Sequence, residues 1–313
     1  MSVNSFPGGE AAMSTSDGQH DVARAFAMWR AMLPEHPDPT IDEFRAGYDA
    51  MFRDFPIDPD ALITELDAGG VRSLQVQAGD YEPSRYVVYF HGGGLMCGNP
   101  EGVRSTAARV ARAARATVLV PDYRLAPEHP YPAALDDATA ACLSLPSRQD
   151  GEPVRMALLG DSAGGGLAIS CAIRLHDNGH DQLAALAVWS PWVDMTVSGA
   201  TIESKATVDP IASGQSLTMS ATAYLQGHAP TDPTVSPLFA DLSGLPPLMI
   251  EVGTEEVLLD DARRLAAKAQ DDGVEVTLTV ADGLPHVYQY FASFLPAAQT
   301  SIERTGAFID KHA

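Results

Sequence analysis

The 313-residue sequence predicts an α/β fold, with a mostly parallel central sheet flanked by helices. Three observations carry that prediction. Short apolar runs of strand type alternate with longer helical stretches along most of the chain, the order that a parallel sheet with crossover helices requires. The strand-like Leu158-Leu159 enters a small-residue helix through Gly160-Asp161-Ser162-Ala163-Gly164-Gly165-Gly166. A second strand-like run, Tyr86-Val87-Val88-Tyr89-Phe90, passes straight into His91-Gly92-Gly93-Gly94.

Residues 1–20 are Gly, Ser and polar, without a basic start or an apolar core, so they read as a disordered tail rather than a signal peptide. Segments 21–33 and 40–55 place Val22, Phe26, Trp29 and Met32, then Ile41, Phe44, Tyr48 and Met51, at helical spacing, each segment begun by a capping residue. Strand patterns follow at 72–77, 86–90, 117–120, 156–159, 185–189, 248–252 and 274–280. Helical stretches near 106–114, 135–145, 167–176 and 261–271 lie between them. The interval 195–238 breaks the alternation, being rich in Ser, Thr, Ala and Pro with a helical patch at 216–226. No apolar run reaches the length needed to span a bilayer.

Composition narrows the partners. Twenty basic side chains against 41 acidic ones give a formal charge of −21. Such a surface repels phosphate backbones and anionic membranes, which argues against nucleic-acid binding and disfavours strongly anionic substrates. Cys97, Cys142 and Cys171 fit no metal or disulfide spacing, so no metal site is expected and a reduced, cytoplasmic compartment is the simpler reading. Cys97, just after the glycine loop, reads as a small buried thiol.

The chemistry-bearing residues belong to acyl transfer. Ser162 is the candidate nucleophile: a Gly-x-Ser-x-Gly turn holds the hydroxyl above a helix N-terminus, and only glycines beside it let the helix pass close to the strand. The N–H groups of Gly93, Gly94 and Ala163 form the candidate oxyanion hole, because glycines bring main-chain donors to a reacting carbonyl with no side chain between. His286, in a Pro-bounded loop after a strand, is the candidate general base, with an unperturbed pKa near 6.5 suited to taking and returning a proton. His91 precedes the serine, against the nucleophile-acid-histidine order of this architecture, and is read as holding the glycine loop. His20, His36, His129, His176, His180, His228 and His312 lie in polar or terminal segments and read as exposed or structural. The acid that orients the base lies in 248–261, where Glu255, Glu256, Asp260 and Asp261 are all chemically able.

These motifs, together with Asp122-Tyr123-Arg124-Leu125-Ala126-Pro127-Glu128-His129-Pro130-Tyr131-Pro132 and Ser190-Pro191-Trp192-Val193-Asp194, resemble the bacterial hormone-sensitive-lipase family (family IV) of the α/β-hydrolases. The resemblance runs from about residue 70 to the C-terminus. It implies an α/β-hydrolase fold with a helical cap, divided into the tail 1–20, N-terminal cap helices at 21–60, a catalytic unit at 61–195 and 239–313, and a cap insertion at 196–238. The family's acid commonly sits in Gly-x-x-Asp-Pro-Leu-x-Asp. Laying Gly253, Leu258 and Asp260 on that pattern puts Glu256 at the acid position, with Glu255 and Asp260 as fallbacks, although this chain has Glu-Val where the pattern has Asp-Pro.

The implied activity is cofactor-free hydrolysis of short- to medium-chain carboxylic esters through an acyl-enzyme. Aromatic and methionine side chains of the two cap segments (Trp29, Met32, Phe44, Met51, Met219, Tyr224) would wall the pocket. Two alternatives stand beside it. One is a lactone, amide or carbamate hydrolase using the same residues. The other is a non-catalytic small-molecule receptor, as in the plant gibberellin receptors, which resemble the family but lack the histidine that this chain keeps as His286. The resemblance further implies a homodimer formed through the sheet-edge strand at 274–280, between Val274 and Val280.

Overall fold

The computed structural model describes residues 15–33, 36, 40–147, 151, 154–180 and 182–313. Two helices lead, α1 (Thr15–Met32) and α2 (Ile41–Arg53). A hairpin of β1 (Leu62–Ala68) and β2 (Val71–Gln77) follows, then β3 (Arg85–Phe90), α3 (Pro100–Ala114), β4 (Thr117–Pro121) and α4 (Ala133–Leu143). The chain continues through β5 (Arg155–Asp161), α5 (Ala163–Asp177), β6 (Leu183–Trp189), α6 (Ala200–Ser204) and α7 (Gly214–Leu225). It closes with β7 (Leu248–Glu255), α8 (Leu259–Asp271), β8 (Val276–Pro285) and α9 (Pro296–His312).

One eight-stranded sheet runs in the order β1-β2-β4-β3-β5-β6-β7-β8. The β1 and β2 strands are antiparallel, β2 meets β4 antiparallel, and every pairing from β4 to β8 is parallel. The parallel strands are buried on both faces, and the two-residue strand period sorts their side chains into two cores. Val87, Tyr89, Leu159, Ala187 and Trp189 join the core under α1, α2, α3 and α9. Val88, Phe90, Leu158, Leu186 and Ile250 join the core under α4, α5 and α8.

The expected strands and helices all form, several of them longer than their apolar patterns. Helix α1 begins at Thr15, which corrects the expectation of a disordered tail through residue 20; residues 1–14 lie outside the described residues. The apolar stripe of α1 starts only at Val22, but once Ala25, Trp29 and Met32 are buried the helix propagates into the polar residues before it. The β1 strand is an addition. Its side chains are mostly exposed, so it lacks an apolar signature, and it is held to β2 by a tight turn with Gly69 at φ 67° and Gly70 at φ 90°. Helix α9 is likewise additional, with Pro296 in its first turn and Ala298, Ile302 and Ile309 buried. Among the described residues no helix is long and apolar enough to cross a membrane.

Candidate active site

Ser162 joins β5 to α5 at φ 52° and ψ −123°, a left-handed conformation that is strained for a residue with a Cβ. The surrounding glycines permit it. A Cβ on Gly160 would strike the carbonyl of Gly164, and one on Gly164 would strike the carbonyl oxygens of Phe90 and His91. The turn is braced by its main chain: Ser162 N–H donates to Trp189 O at 2.8 Å, and Ser162 O accepts from Trp192 N at 2.9 Å. Ala163 follows as the first residue of α5, where an N–H has no partner within the helix.

The glycine loop is oriented through its carbonyls. Gly92 O meets His91 Nδ1 at 2.7 Å, and Gly93 O accepts from the N–H groups of Met96 and Cys97 at 3.0 Å each and from Cys97 Sγ at 3.2 Å. In a trans peptide the N–H points opposite to the C=O. The N–H groups of Gly93 and Gly94 are therefore turned away from those anchors, and both residues line the cavity that contains Ser162. A Cβ at Gly93, where φ is 112°, would collide with Cys97 O. His91 is buried and stacks on Tyr123 at 4.4 Å between ring centroids. Burial lowers its pKa to about 4, so it stands neutral behind the loop.

His286 directly follows β8, and Glu256 lies in the turn between β7 and α8. His286 Nδ1 meets Glu256 Oε2 at 2.8 Å, with both side chains buried. Glu256 Oε1 accepts from Ser190 Oγ at 2.8 Å and from Gly253 N at 2.7 Å, so the carboxylate is fixed on both oxygens. Burial alone would pull the His286 pKa down; the charge and hydrogen bond of Glu256, with the charges of Asp209 and Asp161, outweigh it, and the net shift is upward. With Nδ1 engaged, Nε2 is the nitrogen left for chemistry, and the ring lines the same cavity as Ser162.

The other acids of the sequence analysis are occupied elsewhere. Glu255 pairs with Lys205 at 3.2 Å, Asp260 accepts from Ala200 N, and Asp261 accepts from Val193 N and Arg264. Two residues already singled out, Ser190 in its motif and Trp29 on the first helix, make contacts to the base that the sequence does not foretell. Ser190, which also accepts from Val287 N at 3.0 Å, links Glu256 to the His286 loop, and Trp29 Nε1 donates to His286 O at 2.8 Å. Both contacts join segments distant in sequence, visible only once the chain is folded.

The cavity measures about 70 Å³. Trp29, Met32, Phe44 and Tyr48 of the leading helices form one wall, and Ile211, Ala212, Ser216, Leu217 and Ser220 form another. Met51, Met219 and Tyr224, expected as further wall residues, are not among the lining side chains; Met219 is exposed and Tyr224 packs on Tyr131. Among the described residues no group of three or more His, Cys, Asp or Glu side chains is placed to hold a metal ion.

The sequence profile of the α/β-hydrolase fold matches residues 87–290. An acetyl-hydrolase of Streptomyces hygroscopicus is 40% identical over 73% of this chain and 76% of its own length, and an esterase of Acinetobacter venetianus is 32% identical over 84% and 87%. The crystal structure of an esterase from the bacterial hormone-sensitive lipase family superposes with a TM-score of 0.89 at 39% identity, covering 94% of this chain and 98% of that one. A profile match across most of the chain and that superposition lead to one conclusion: the chain belongs to the bacterial hormone-sensitive-lipase family of the α/β-hydrolases.

Proposed function

We propose that this enzyme hydrolyses carboxylic esters of short to medium acyl chain through a Ser162-His286-Glu256 triad. The observation that carries the reading is the buried His286-Glu256 pair, its ring and Ser162 lining one small apolar cavity. His286 Nε2 takes the Ser162 proton as Oγ attacks the ester carbonyl, and the N–H groups of Gly93, Gly94 and Ala163 receive the oxyanion. The imidazolium, steadied by Glu256, returns the proton to the departing alcohol. Water then repeats the sequence on the acyl-enzyme, releasing acid and restoring the serine. No cofactor takes part in these steps.

A cavity of about 70 Å³ is far below the ~300–1,000 Å³ of sites for drug-sized ligands, which favours small acyl groups. The names acetyl-hydrolase and esterase borne by the relatives agree with that choice. The walls given by 21–60 and by 196–238 support reading those segments as a cap over a catalytic unit of 61–195 and 239–313. We also propose a cytoplasmic location, in keeping with three free buried thiols, and a homodimer through β8, an outer strand of the sheet.

The test is hydrolysis of p-nitrophenyl esters from acetate to palmitate by the wild type and Ser162→Ala, with circular dichroism showing both folded. The wild type should prefer the short chains. Ser162→Ala should lose about three to six orders of magnitude in turnover. A folded Ser162→Ala protein with wild-type rates would refute the reading.

A further inference from the structure

The geometry points to Asp161 as a positioning residue that ties the three loops of the site together and adds its negative charge to those of Glu256 and Asp209 around His286. Asp161 ends β5 one residue before Ser162 and is buried. Its Oδ1 accepts from Tyr89 Oη at 2.8 Å and its Oδ2 from Tyr290 Oη at 2.7 Å. Tyr89 lies on β3, immediately ahead of the glycine loop, and Tyr290 lies in the short turn after His286. The N–H of Gly92 also faces the carboxylate, and a Cβ at Gly92 would collide with Oδ2. One carboxylate thus holds the serine turn, the glycine loop and the histidine loop in a single register. Tyr48 of α2 lies beside this network, close enough for the Asp161 charge to help burial raise the pKa of its hydroxyl.

A carboxylate in such a place must justify its desolvation, and hydrophobic packing alone would not call for one. Burial raises the Asp161 pKa, the hydroxyls of Tyr290 and Tyr89 and the charge of His286 oppose the rise, and the result is about 6. The ionisable groups around it are Tyr89 and Tyr290, Tyr48 from α2, Tyr123 and Cys97 beside the glycine loop, and His286, which is the one cation among them. Above pH 6 Asp161 is charged and favours the imidazolium form of His286, acting in the same direction as Glu256 and Asp209. It never touches substrate; it acts through the residues it holds.

This inference rests on the Ser162-His286 reading, so the test runs Ser162→Ala alongside. Asp161→Asn keeps the shape and removes the charge. The midpoint of the acid limb of kcat/KM should fall by about half a pH unit, Asp209 and Glu256 remaining. The plateau should fall roughly 10- to 100-fold, mainly in kcat, as the loops lose register. Tyr290→Phe, which raises the Asp161 pKa by removing a donor, should move the limb the same way by less, and it decides the matter where Asp161→Asn does not fold. An unmoved midpoint in a folded variant, with Ser162→Ala inactive, overturns the role of Asp161 alone. An active Ser162→Ala overturns the reading beneath it as well.

Discussion

His286 shows how one residue's behaviour is set by competing effects. Burial disfavours the imidazolium, but Glu256, bonded at Nδ1, and the charges of Asp209 and Asp161 together favour it more, and the pKa ends above its ordinary value. The sign of two pH effects follows. A raised pKa means that the ion pair stabilises the folded chain fully below about pH 6.5 and that this contribution disappears as pH rises through the folded pKa. Activity moves the other way, since attack needs the neutral ring. We predict that kcat/KM for p-nitrophenyl acetate rises with pH along an acid limb whose midpoint lies above about 6.5; a midpoint at or below that value would show that Glu256 and the neighbouring carboxylates do not outweigh burial at the base. Ser162 and His286 are legible in the sequence because turn chemistry and chain order mark them. Glu256 is picked out only by laying the chain on the family pattern, because residue chemistry alone leaves Glu255, Glu256, Asp260 and Asp261 equal and the β7-β8 pairing is irregular between Gly253 and Glu255, just before it. The pairing of Ser190 with Glu256, and of Tyr89 and Tyr290 with Asp161, is invisible in sequence, since each meets its partner across 66 to 129 residues of chain.

At the scale of elements, α1 acts on the site through one side chain. Trp29 is 2% exposed, sits edge-on to Phe291 and Tyr290, and donates its indole N–H to the carbonyl of His286. The helix therefore anchors the backbone of the base as well as walling the cavity. Trp29→Phe keeps ring bulk and loses that bond, for which we expect a stability loss of about 1 kcal/mol and a several-fold drop in kcat with KM little changed. Trp29→Ala opens a cavity and should cost about 3–5 kcal/mol. Urea denaturation and steady-state rates on both variants separate the contributions; an unaltered kcat in Trp29→Phe would reduce α1 to packing. The apolar spacing of Val22, Trp29 and Met32 announces this helix in the sequence. What it does not announce is the start at Thr15, because propagation from a packed face needs no apolar residue. The β1 strand hides for a related reason: a mostly solvated strand shows no alternation, and the glycine pair at 69–70 is its one local mark.

For the whole molecule the dominant fact is a charge of −21, 41 acidic against 20 basic side chains. Much of the basic complement is already engaged: Arg72 is paired with Glu65, Glu101 and Asp122, and Arg45 with Glu128. The remaining field is negative and reaches furthest at low salt, where the Debye length is about 30 Å at 0.01 M against about 8 Å at 0.15 M. The cavity wall is mostly apolar, so a neutral ester approaches without feeling that field, whereas an ester with a carboxylate on its acyl chain must climb it. Comparing p-nitrophenyl acetate with a p-nitrophenyl hemisuccinate at both salt concentrations tests this directly. The neutral ester should keep its kcat/KM, and the anionic ester should gain roughly 3- to 10-fold as salt screens the protein. Equal salt responses for the two would mean that the acidic residues lie too far from the cavity mouth to select substrates, leaving the charge to act on solubility alone.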